Sequence, residues 1–176
     1  MVVSRKKLQE EDTVALARWL LGKALVARRG DGLLSRRAIA ETEAYHGFDD
    51  KASHASRGRT PRNEPMFAAG GVWYVYLCYG VHEMLNIATG PEGFPAAILI
   101  RGLEDLSGPG RLTNALDIDR RFNAKPAGIA TGLWIEDDGI AVPRRAIRAL
   151  PRIGVAYAGP VWSVKPWRFV WDGRKL

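Results

Sequence analysis

The chain has 176 residues, 47% of them hydrophobic. That length buries about two-thirds of the unfolded surface in one core, so a single domain spanning 1–176 is expected. A formal net charge of +7 points to a polyanionic partner, because Arg and Lys gain from many weak phosphate contacts; it specifies no reaction. Cys78 has no partner for an intramolecular disulfide, Met1 to Glu11 lack the apolar core of a signal peptide, and no apolar run reaches the roughly 20 residues needed to span a bilayer. The expectation is a soluble, cytoplasmic protein with no membrane partner.

In chain order, Asp12 to Leu21 reads as a helix, with Asp12 as N-cap and Gly22 as stop. Lys23 to Arg28 and Leu33 to Tyr45 read as strands around a Gly30–Gly32 turn. His46 to Pro65 is long, polar and punctuated by Gly and Pro, so it is either a functional loop or a floppy one. Val72 to Cys78 is strongly β; Tyr79-Gly80 offers a turn and Glu83 to Ala88 returns as the second arm of a hairpin. Ala96 to Leu103 is another strand, and a short helix runs to Leu116 with Ser107 as its cap. Leu133 to Glu136, Arg152 to Ala156 and Trp167 to Trp171 are further strand candidates. Short, mostly hairpin-connected strands with a few helices imply an α+β fold built on a curled, largely antiparallel sheet.

Four clusters can carry chemistry. Glu41, Glu43 and Tyr45 share one face of a strand, because side chains alternate; taken alone, a solvated acidic edge explains them as well. His54 sits in the polar loop, and no pair of the three histidines has the spacing of a metal site, so no metal is expected. Arg57, Arg59, Thr60, Arg62 and Asn63 suit a phosphate-clamping loop, or simply a mobile basic one. Trp73, Tyr74 and Tyr76 look like core, whereas Tyr79 beside Gly80 is a tip aromatic able to wedge between base pairs. Together they have a physical logic. An enzyme that cuts a glycosidic bond in a duplex must extrude the nucleotide, fill the gap, hold the backbone and activate water with a carboxylate.

Glu41-Thr42-Glu43-Ala44-Tyr45, His54, Thr60-Pro61-Arg62-Asn63, Met66-Phe67, Tyr74-Val75-Tyr76, Tyr79-Gly80, Asn86-Ile87, Arg101, Ser107-Gly108-Pro109, Arg152-Ile153-Gly154 and Lys165-Pro166 follow one another in order. In this the chain resembles the alkyladenine (3-methyladenine) DNA glycosylase family over nearly its whole length. The resemblance implies a single domain on a curved antiparallel sheet, open-barrel-like, flanked by a few helices. It implies Glu43 as general base, with Arg101 and the Ile153 carbonyl placing the water. It implies Tyr45, His54 and Tyr76 around the flipped base, and Asn86 as the group that crowds guanine. Tyr79 corresponds to the wedge, and Arg57, Arg59, Thr60, Arg62, Asn63, Met66, Gly80 and Arg111 are expected to contact DNA.

The implied partner is double-stranded DNA containing a damaged purine. No cofactor is expected, and a monomer of the compact bacterial type, associated with the nucleoid, is. The loops at Leu103–Ser107 and His54–Thr60 are shorter than in mammalian members, and His82 replaces an aromatic. The implied active-site positions hold Glu, Arg, Tyr, His and Asn, so simple hydrolysis is favoured over Schiff-base chemistry, with Lys51, in the loop near His54, as the amine that leaves the alternative open. The rival reading is a non-catalytic domain that binds damaged DNA or RNA; Glu43 is the feature such a binder does not need. A nucleosidase would act without a duplex.

Overall fold

A computed structural model describes residues 1–172 of the chain. The fold is α+β, a curled antiparallel sheet forming a half-barrel with a few short helices. Helix α1 (Arg5–Leu8), with Ser4 as N-cap, precedes α2 (Thr13–Trp19), where the Asp12 side chain accepts from the Ala15 N–H. Helix α1 was not foreseen, because one turn carries no periodicity to read. It lies against Gly70, where a Cβ would meet the Leu8 carbonyl oxygen at 2.1 Å.

Strands β1 (Ala24–Arg28) and β2 (Leu34–His46) form the first hairpin. Strands β3 (Trp73–Cys78), β4 (His82–Ala88) and β5 (Ala96–Leu103) follow, and β5 turns into the short β6 (Leu106–Ser107). Helix α3 (Pro109–Ala115) precedes β7 (Leu133–Glu136), β8 (Ile147–Leu150), α4 (Gly159–Trp162) and β9 (Arg168–Trp171). The main path runs β3-β4-β5-β2-β1-β7, with β9 on the other side of the second half of β2, and β8 beyond it.

Two expectations need correcting. Ser107 does not cap α3: it pairs in β6, and Gly108 is the N-cap with no side-chain bond. Arg152 to Ala156 is not a strand. The strand lies earlier, at β8, and ends before Pro151, which has no N–H to extend a ladder. The freed segment turns at Ile153-Gly154 and runs into a 3-10 turn over Ala156–Ala158.

The main core joins α2 to the sheet through Leu16, Leu20, Leu25, Ile39, Ile98, Ile100 and Phe169. Thr42 Oγ donates to the Ala17 carbonyl at 2.8 Å, which ties the back of β2 to α2. The long loop after β2 is folded, with 3-10 turns at His54–Arg57 and Glu64–Phe67.

Candidate active site

Strand register builds the site. Tyr74 pairs with Asn86, Asn86 with Leu99, Leu99 with Glu43 and Glu43 with Arg168, so one row crosses five strands. Tyr76 lies two residues along β3 and Arg101 two along β5, so alternation puts them on the same face. They line a cavity of about 470 Å³ with Tyr45, His54, Met66, Asn86 and Ile153, within the usual range for a small-molecule pocket of about 300–1,000 Å³.

Glu43 is 0% exposed. Its Oε1 accepts from the Ile153 N–H at 2.8 Å and its Oε2 from the Tyr45 hydroxyl at 2.9 Å. Arg101 Nη1 stands 3.5 Å from Oε1. Burial raises the Glu43 pKa above its ordinary 4.5, while Arg101, the Ile153 N–H and the Tyr45 hydroxyl pull the other way. The Tyr45 phenol is raised well above its usual value, by burial first and then by the Glu43 charge. The observed Ile153 contact is through its N–H, which no sequence pattern signals.

The other wall is aromatic. Tyr74 and Tyr76 have ring centroids 5.1 Å apart, and His54 stands edge-on to Tyr76 at 4.7 Å. The Tyr74 hydroxyl lies 2.9 Å from His54 Nδ1, and burial pushes its pKa up to about 12. Solvent reaches one side of His54, yet the enclosing groups lower its pKa by desolvation, and Arg62 adds to this. Asn86 Nδ2 donates to the carbonyls of Tyr74 and Met84, so its amide is held in one orientation.

Tyr79 is 91% exposed at the β3–β4 tip. It has φ +50 and Gly80 φ +72, a pair of left-handed residues that a primed hairpin turn requires and that a bulky side chain adopts at a cost. Arg57, Thr60 and Arg111 are exposed; Arg59 is paired with Glu64 at 2.7 Å and lies over Phe67. Arg62 lines the cavity over Tyr76 and donates to the Leu77 carbonyl. Two expected DNA contacts are turned inward. Asn63 is 2% exposed and spends its side chain on the His54 and Gly58 carbonyls and the Thr60 N–H, so it organises the loop. Met66 is buried under the aromatic wall and lines the cavity.

Three features were missed. Asp50 and Arg152 form a fully buried bidentate pair, at 2.6 and 2.8 Å. Tyr157 joins the cavity rim and donates to the Ala52 carbonyl. Glu41 contacts Arg101 and Arg168; its shared face with Glu43 was the available signal.

A family profile described as methylpurine-DNA glycosylase matches residues 7–175. A protein of Anaeromyxobacter dehalogenans strain 2CP-C, named "Putative 3-methyladenine DNA glycosylase", is 47% identical over 92% of this chain and 80% of its own length. Relatives of the same name from Methanocella arvoryzae and Myxococcus xanthus are 42% and 43% identical, over 96% and 88% of this chain and 92% and 82% of their own lengths. The chain belongs to the methylpurine-DNA glycosylase family, and is thereby a DNA glycosylase, a hydrolase of N-glycosidic bonds that serves DNA repair by base excision.

Proposed function

We propose that the enzyme is monofunctional, and that it flips an alkylated purine such as 3-methyladenine, or a neutral lesion such as hypoxanthine or ethenoadenine, out of duplex DNA. The observation that carries this reading is the fully buried Glu43 carboxylate at the end of an aromatic cavity. Its oxygens are oriented by Tyr45 and Ile153, and Arg101 stands beside it. Glu43 takes a proton from water as that water adds to the sugar C1′ and the base departs with the bond electrons. The product is an abasic site with both phosphates intact. The Glu43 charge also steadies the oxocarbenium-like sugar, as carboxylates do in glycoside hydrolysis. Arg101 and the Ile153 carbonyl place the water.

Tyr45, Tyr76 and His54 enclose the base. A cationic purine gains about 0.5–2 kcal/mol from an aromatic face, and a neutral His54 adds no like charge against it. Asn86, with its amide held by two carbonyls, crowds the guanine 2-amino group. Arg57, Arg59, Thr60, Arg62, Gly80 and Arg111 face the DNA backbone, and the enzyme works as a monomer on cytoplasmic, nucleoid DNA. Duplexes carrying single lesions, each treated with and without alkali, test the reading. Strand cleavage only after alkali is expected; nicking without alkali overturns monofunctional hydrolysis, and no cleavage of any lesion overturns the whole.

Tyr79→Ala tests the wedge. Base–aromatic stacking is worth about 1–3 kcal/mol, so lesion-duplex affinity is expected to fall about tenfold to hundredfold, with loss of the fluorescence rise of a neighbouring 2-aminopurine. The excision rate at saturating enzyme changes less. Unaltered lesion affinity would exclude the wedge.

A further inference from the structure

Two carboxylates of β2 face Arg101, and only Glu43 has a task in the proposed reaction. Glu41 Oε1 accepts from Arg168 Nη1 at 2.9 Å and lies 3.2 Å from Arg101 Nε. The second contact is off the hydrogen-bonding direction, and Arg101 Nε is buried without an aligned acceptor among the described residues. Arg168 Nε donates to the Pro151 carbonyl at 2.9 Å. Two residues on, the Ile153 N–H reaches Glu43 Oε1, the oxygen that Arg101 Nη1 also approaches. The contacts thus close a ring from Glu43 through Arg101, Glu41, Arg168 and the 151–153 turn back to Glu43.

The backbone is shaped for this ring. The β2–β5 register slips on both sides of Glu41, a bulge of the kind that re-aims a side chain beside a site. Opposite it, a Cβ on Gly102 would come within 3.2 Å of Glu41 Cβ and 3.4 Å of Oε2.

We infer that Glu41 is a positioning residue: it holds Arg101 beside Glu43 Oε1 and, through Arg168 and Pro151, the Ile153 backbone at the same oxygen. This rests on the general-base role proposed for Glu43. Without Glu41, the Arg101 fork turns fully to Glu43, its one remaining anion among the described residues, and makes that carboxylate a weaker base while the 151–153 turn loosens. The other titratable groups facing Glu43 are Tyr45, Tyr76 and Tyr157, all with raised pKa values and all neutral across the acid range.

Single-turnover excision on a duplex carrying 3-methyladenine tests this with Glu41→Gln, Glu43→Gln, Arg101→Met and the Glu41→Gln/Arg101→Met pair, over a pH series. Misplacing a catalytic group by a fraction of an ångström to an ångström costs up to about a hundredfold, so Glu41→Gln is expected to excise about tenfold to hundredfold more slowly. The half-saturating enzyme concentration stays unchanged, and the acid limb of the rate moves to lower pH. In the Arg101→Met background, Glu41→Gln adds little. Wild-type rates in Glu41→Gln, an unmoved acid limb, or an equal loss in both backgrounds overturns the inference. Should Glu41→Gln not fold, Arg168→Met cuts the Pro151 arm alone: slowed excision supports the ring and a wild-type rate overturns it. An active wild type with inert Glu43→Gln and unimpaired Glu41→Gln sinks only the role of Glu41; full activity of Glu43→Gln sinks the general-base reading beneath it.

Discussion

Glu43→Gln is expected to lower single-turnover excision by roughly a hundredfold or more, the scale of general catalysis, with lesion-duplex affinity nearly unchanged. Glutamine keeps the shape: its amide oxygen can accept from the Ile153 N–H while its NH2 donates to the Tyr45 hydroxyl oxygen, but it cannot take a proton from water. Excision within about tenfold of wild type would sink the assignment. The pH dependence follows from the same carboxylate. Glu43 works ionised, and burial raises its pKa above 4.5. The wild-type rate therefore falls on the acid side, along a limb that lies above the ordinary carboxylate value. Stability runs the opposite way. A carboxyl whose folded pKa exceeds its unfolded one stabilises the protein most below the unfolded value, and that contribution is lost as pH rises through the folded pKa. Glu43→Gln lacks this loss. Its melting temperature relative to wild type is expected to rise as pH increases from below 4.5 to above the raised value.

Local rules carried the elements with a clear period or cap: Asp12 before α2, the β3–β4 hairpin around Tyr79-Gly80, and the shared face of Glu41, Glu43 and Tyr45. They failed where a contact joins distant positions. Ile153 reaches Glu43 across 110 residues of chain, and neither carries a mark of the other. Nothing in the sequence of β2 marks the bulge at Glu41, where Gly102 is the partner and the register slips on either side. Asn63 was misread for a related reason. A polar amide in a basic loop suits a phosphate, but here it satisfies the loop's own carbonyls and N–H. The Arg152–Ala156 segment has strand-like residues, yet Pro151 ends the ladder and Gly154, at φ +76, turns the chain.

Asp50→Asn is expected to give the largest loss of stability. Asp50 and Arg152 are both 0% exposed at their side chains. The Arg152 guanidinium also donates to the Ala44 carbonyl at 2.9 Å and lies 4.8 Å from the Tyr45 ring centroid and 5.1 Å from that of Trp167. It has no route to water, so removing the Asp50 charge strands a buried cation. Breaking one side of such a pair costs about 3–5 kcal/mol. At about 2–4 °C per kcal/mol for a chain of this size, the melting temperature falls by about 6–20 °C. Asparagine keeps an acceptor for only one of the His46 and Ala52 N–H groups, which Asp50 serves with different oxygens, so the loss reports the charge together with one bond of the loop turn. Asp50→Asn/Arg152→Met removes the stranded cation and is expected to recover part of the loss. A double variant less stable than Asp50→Asn would mean that Arg152 acts through its packing on Tyr45 and Trp167, with the ion pair secondary. Excision should fall with the single variant even well below its melting temperature. Asp50 lies four residues before His54 and Arg152 one before Ile153, so the pair fastens the loop bearing one wall of the base cavity to the turn that orients Glu43.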